Sequence, residues 1–162
     1  MFVEILHEML QHFCPEAGIR VGTDTIFDIL YADDCTLTAD TPEKLQAQLD
    51  VVLMFCQIFG MKVNVRKTEI IVFRTKDMRL RVARWHYNGV DVKVVESAVY
   101  LGYTMSAVGT QQPWKGGLKA SGLKASFALQ GLIKKQDLYA PELRLRLFDT
   151  LVQPVMSYGC QI

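Results

Sequence analysis

Two carboxylates stand side by side in the run Ile29-Leu30-Tyr31-Ala32-Asp33-Asp34, directly after a β-prone apolar stretch. Neighbouring residues on a strand point to opposite faces, so Asp33 and Asp34 can serve one site only where the backbone turns sharply between them. A hairpin tip provides such a turn. Two adjoining acids there are either solvated, as aspartates in turns commonly are, or neutralised by a divalent cation. Hard cations such as Mg²⁺ take carboxylate oxygens and complete their shell with water and substrate phosphates. Two such ions about 4 Å apart can activate one oxygen and stabilise a leaving one in phosphoryl transfer. The residues alone leave both readings open.

The elements that must position this pair can be read from periodicity and punctuation. Met1 to Phe13 has apolar residues at helical spacing (Phe2, Ile5, Leu6, Met9, Leu10, Phe13) with Glu4, Glu8 and Gln11 opposite. A strand over Ile19 to Gly22, a turn, and a β-rich run over Thr25 to Tyr31 follow; Cys35 to Thr38 then completes a tight hairpin around the aspartates. Thr41 caps a helix, Pro42 opens it and Gly60 stops it, with Leu45, Leu49, Val52, Leu53, Cys56 and Phe59 as its stripe. Glu69 to Phe73, Arg84 to Tyr87, Val90 to Val95 and Ala98 to Thr104 read as short strands, with Asn88-Gly89 as a hairpin turn. From Gly116 the pattern is helical again, and Pro141 opens a last helix in which Leu143, Leu147, Leu151 and Val155 repeat every four residues. Helices packed against an antiparallel sheet make an α+β chain, with a boundary at Ser106 to Trp114, where Gly, Thr and Pro cluster.

Composition limits the alternatives. The chain has 162 residues, 50% hydrophobic and 22% charged, with 11 Gly and 5 Pro, which excludes disordered, collagen-like and disulfide-scaffold classes. No apolar run approaches the ~20 residues of a membrane span, so no membrane partner is expected. The first helix lacks the basic start and small-residue cleavage site of a signal peptide. Cys14, Cys35, Cys56 and Cys160 are widely separated with no Cys-x-x-Cys pair, which reads as reduced thiols in an intracellular protein. Cys35, beside the aspartates, reads as a small buried strand residue. Residues 1–61 carry two basic side chains (Arg20, Lys44) against ten acidic ones, whereas residues 62–162 carry sixteen basic against seven acidic. Such a split suggests an anionic partner for the basic part, although solvated basic faces also arise without one.

The hairpin with Tyr31-Ala32-Asp33-Asp34 is followed, after the capped helix, by Gly60-Met61-Lys62-Val63-Asn64-Val65-Arg66-Lys67-Thr68-Glu69-Ile70-Ile71-Val72-Phe73. Tyr87-Asn88-Gly89-Val90, Tyr100-Leu101-Gly102-Tyr103 and the closing stretch from Leu145 to Gly159 come next. This ordered set resembles the reverse transcriptases of non-LTR (LINE-type) retrotransposons over nearly the whole chain. The resemblance implies a polymerase palm over residues 1–105, an antiparallel sheet with packed helices, and small helical thumb or connection helices over 106–162. Asp33 and Asp34 match the acidic pair that binds Mg²⁺ (or Mn²⁺), and Tyr31 matches the aromatic near the growing primer end. Lys67 matches a basic residue that is a candidate general acid for departing pyrophosphate, a role that suits a lysine beside a triphosphate. Leu101 and Gly102 match the hairpin that holds the primer strand. Without the resemblance, Lys67 reads as an exposed lysine at a strand start, Leu101 as a core residue and Gly102 as a turn.

The implied reaction is template-directed addition of deoxynucleotides to a primer 3′ end by two-metal catalysis. The implied partners are an RNA template, a DNA primer and deoxynucleoside triphosphates, in an intracellular, nuclear setting. In the family a third metal-binding aspartate lies on a strand well before Tyr-x-Asp-Asp, with a long fingers region around it, whereas 32 residues precede Asp33 here. The expectation is a palm-plus-thumb fragment lacking that N-terminal fingers and palm segment, and inactive alone. Asp28 sits about 17 Å from Asp33 along an extended strand, and Glu4 and Glu8 lie on a helix's polar face, so none is expected to replace it. A non-catalytic nucleic-acid-binding retroelement remnant is the alternative, and a decayed product without a role is a third reading.

Overall fold

The computed structural model describes residues 2–75, 83–109, 112–136, 138 and 140–160. Thr110 and Gln111 of the expected boundary stretch lie outside the described residues, as do Met1, Ile162 and the basic residues Lys76, Arg79 and Arg81. The fold is α+β, and the antiparallel pairing expected of one sheet takes the form of separate two-stranded ribbons. Two compact units divide the chain, residues 1–70 with 79–94 and residues 71–78 with 95–162.

In the first unit, α1 (Phe2–Phe13) turns Leu6 and Leu10 inward and packs on α2 (Pro42–Phe59). The expected single strand from Thr25 to Tyr31 divides at Phe27. β2 (Asp24–Ile26) pairs with β1 (Ile19–Val21), whereas β3 (Asp28–Tyr31) pairs with β4 (Asp34–Leu37). The reason is local: Phe27 is buried in the core, and Thr38 donates its backbone N–H to the Phe27 carbonyl and its hydroxyl to that of Ile26, both at 2.8 Å. The run therefore changes partners there.

α2 forms as its punctuation dictates. The Thr41 hydroxyl accepts from the Lys44 N–H at 3.3 Å, Pro42 fills the first turn, and Gly60 closes the helix at φ 67°. Leu49, Val52, Phe55 and Cys56 are its buried stripe. Gln48 is fully buried, and its amide reaches the carbonyls of Ala17 (3.4 Å) and Thr38 (3.0 Å), tying the chain after α1 and after β4 to one helix. At the other side, the Gln46 side chain donates to the His86 carbonyl and accepts from its N–H, both at 2.9 Å, acting as a strand partner for β6 (His86–Tyr87). Buried Trp85 donates its indole N–H to the Pro42 carbonyl at 2.9 Å. Asn88 and Gly89, at φ 50° and 77°, turn β6 into β7 (Val90–Asp91) as read from the sequence. β5 (Glu69–Ile71) pairs with β8 (Lys93–Val95), where Lys93 meets Glu69 at 2.9 Å.

In the second unit, the expected strand from Ala98 to Thr104 is a hairpin, β9 (Ser97–Tyr100) and β10 (Tyr103–Ser106). It turns at Leu101 and Gly102, at φ 48° and 79°. A left-handed leucine costs about 1–2 kcal/mol, which is why sequence does not signal a turn there. The Leu101 carbonyl accepts a hydrogen bond from the Tyr158 hydroxyl, and the Tyr158 ring lies over Gly102. α3 (Gln112–Lys135) packs on β10, on α4 (Pro141–Leu151) and on α5 (Gln153–Ser157). The expected last helix is broken at Val152, which is fully buried. Pro154, two residues on, can neither donate to the Thr150 carbonyl nor avoid it, so the helix restarts.

Candidate active site

The β3–β4 ladder pairs Asp28 with Leu37, Ile29 with Thr36, Leu30 with Cys35 and Tyr31 with Asp34. Ala32 and Asp33 are thus a two-residue turn, and Ala32 holds the left-handed φ of 52°. Asp34 begins the return strand directly opposite Tyr31. The structure brings Tyr31, Asp33 and Asp34 to one tip, all three exposed, Tyr31 at 60%. Among the described residues no third His, Cys, Asp or Glu joins them to form a metal-binding cluster. Two carboxylates suit one magnesium ion that arrives with water and triphosphate oxygens in its shell.

The alanine in the turn is a local strain with a measurable size. Ala32→Gly is expected to raise stability by about 0.5–1 kcal/mol, because glycine takes this φ freely while loosening the unfolded chain. Urea unfolding checks this, and a loss of stability would mean that Ala32 is unstrained.

Lys67 is exposed in the turn that precedes β5, its backbone N–H donating to the Asn64 carbonyl at 2.9 Å. Leu101 is not a core residue: it is 38% exposed at the hairpin turn of the second unit, beside Gly102. Grooves of about 280 and 310 Å³ lie beside the end of α2 and on α3, and neither is lined by Asp33, Asp34 or Lys67.

Cys35 departs from its reading as a buried strand residue, since the residue is exposed at the hairpin. Enough protein still packs round its sulfur that desolvation, with the Asp28 charge and Cys56 adding to it, pushes the thiol up to about 12. The Tyr87 phenol is also raised, by burial first and then by a hydrogen bond to Cys56, and burial raises Cys14. Each group keeps its proton in the fold at a pH where the unfolded side chain, near 9.0 for Cys and 10.0 for Tyr, releases it. The stability these three groups contribute should therefore be fully present below about pH 9 and be lost steadily above it. Alkaline titration of the thermal midpoint checks this; Tyr87→Phe should flatten the upper part of the decline.

Sequence reasoning weighed Asp28 only by its distance from Asp33 and missed what the residue does. Its side chain is completely buried, and Oδ1 lies 2.5 Å from His7 Nδ1 on α1. The available signal was a lone aspartate between Phe27 and Ile29-Leu30, inside an apolar strand run.

Similarity to known proteins agrees with this geometry. The reverse transcriptase (RNA-dependent DNA polymerase) family matches residues 1–105, a stretch that contains the whole β3–β4 hairpin. A transposon-derived protein of Caenorhabditis elegans is 24% identical over 144 residues, covering 88% of this chain and 50% of the relative. The chain thus spans about half the length of that curated relative. No solved structure matches it. With that match over most of its length, and with adjoining aspartates at the tip of a hairpin inside it, the chain belongs to the reverse transcriptase family.

Proposed function

We propose that the chain is the palm and thumb portion of an RNA-directed DNA polymerase of the non-LTR retrotransposon type. The observation that carries this is the hairpin tip, which places Asp33, Asp34 and Tyr31 together and exposed within the family match. Asp33 and Asp34 face the divalent cation, Mg²⁺ or Mn²⁺, that accompanies a deoxynucleoside triphosphate. Tyr31 supports the primer end, and Leu101-Gly102 the primer strand. Lys67 neutralises the triphosphate and protonates the pyrophosphate as it leaves. Residues 1–105 act as palm and 106–162 as thumb.

Primer extension on an RNA template, with Mg²⁺ or Mn²⁺, tests the reading beside manganese-induced broadening of the hairpin amide signals. Asp33→Asn and Asp34→Asn should each weaken nucleotide-dependent manganese binding by about 10–100-fold or more. Binding that ignores both substitutions would remove the polymerase reading. The absence of a third metal-binding residue in any cluster among the described residues favours a second reading, a nucleic-acid-binding remnant that does no chemistry. Hybrid binding without extension or a manganese response would select it.

A further inference from the structure

A completely buried carboxylate is expensive unless it is fully satisfied, and Asp28 is not. Its Oδ1 meets His7 Nδ1, whereas Oδ2 is buried and has no hydrogen-bond partner. The other ring nitrogen of His7, Nε2, lies 2.8 Å from Gln11 Nε2. With the Gln11 amide in this orientation its N–H donates to His7 Nε2, an arrangement that requires the ring's own proton on Nδ1, facing Asp28. The imidazole and the Phe27 ring also form a T-shaped pair, with centroids 6.3 Å apart at 84°. Gln11, His7 and Asp28 thus form a directional relay from the exposed side of α1 to the first residue of β3.

The placement matters because the ladder is short. Asp28 occupies the first of only four cross-strand pairs, and Asp34 the last. A one-residue slip would send every side chain of the hairpin to the opposite face. Buried ionic groups are often replaceable by apolar ones without loss of stability, and their best-attested benefit is to fix register. The Asp28 charge also reaches across the hairpin to Cys35.

We infer that the Gln11–His7–Asp28 relay sets the register and rigidity of the hairpin that carries Asp33 and Asp34, making Asp28 and His7 positioning residues for that tip. The inference rests on the polymerase reading only for what the tip does, not for how it is held.

Backbone amide exchange, followed by NMR on the full chain without metal or nucleotide, tests it. In the double variant His7→Leu/Asp28→Leu, exchange at Ile29, Tyr31, Asp34 and Thr36, the hydrogen-bonded pairs of the ladder, should rise by at least about tenfold, while Leu49 and Val52 in α2 keep their protection. Gln11→Ala, at an exposed position, should give a smaller rise and mix the His7 tautomers, which the ring nitrogen shifts report; it carries the test should the double variant not fold. Equal acceleration at the tip and in α2 would reduce the relay to ordinary packing and overturn the inference. So would an unchanged tip, or a wild-type His7 with its proton on Nε2. A confirmed relay in a chain without a manganese response would leave the inference standing and remove the polymerase reading alone.

Discussion

Affinity for an RNA–DNA hybrid falls by about 10³-fold between about 50 and 300 mM salt if all five α3 lysines meet phosphates, each contact adding about −0.9 to the logarithmic slope. Lys115, Lys119, Lys124, Lys134 and Lys135 are all exposed, and among the described residues none has a carboxylate partner. They are therefore available to neutralise a polyanion, and ions released from a bound hybrid would supply the affinity. Neutralising three of them, as in Lys115→Gln/Lys119→Gln/Lys124→Gln, should reduce the slope by about 3. Isotherms at four salt concentrations measure it. A slope near zero in the wild type would mean that these lysines are solvated decoration and that the acidic and basic parts of the chain have no division of labour.

Trp85→Ala should destabilise the first unit by about 3–5 kcal/mol, a large share of what a domain of this size possesses. The indole is 4% exposed, so its removal leaves a cavity, and the Pro42 carbonyl loses its donor at the start of α2. Trp85→Phe separates the two effects: it keeps much of the packing and should lose only about 1–2 kcal/mol for the unmade hydrogen bond. Urea unfolding followed by circular dichroism gives the numbers. The chain has two tryptophans, and Trp114 is buried in the second unit, so its fluorescence reports that unit in the Trp85 variants. A loss below about 1 kcal/mol in Trp85→Ala would mean that the site collapses round the deletion.

What the sequence made legible followed from local chemistry. Thr41, Pro42 and Gly60 fix α2 because capping and the left-handed stop are properties of those residue types. Asn88-Gly89 announces its turn for the same reason, and the two aspartates announce theirs. Two of the misreadings share a cause in tertiary partners. Leu101 bends the chain although leucine resists that conformation, because Tyr158 waits at its carbonyl. The strand through Phe27 breaks because Thr38 supplies a different partner, whereas the last helix breaks for a local reason, Pro154, which cannot continue it. Within the candidate site, the tip was readable and its support was not. Nothing in a pattern of apolar spacing shows that a histidine on α1 meets an aspartate 21 residues later.

The bond between Tyr158 and Leu101 also orders events in time. It joins residues 57 apart, so a ribosome adding about 5–20 residues per second delivers the phenol roughly 3–11 s after the turn it completes. Throughout that interval β9 and β10 have been synthesised, yet the leucine between them has no partner to hold it. The β9–β10 hairpin should therefore be the last part of the nascent second unit to resist protease, whereas α2, whose stop signal follows it immediately, is protected early.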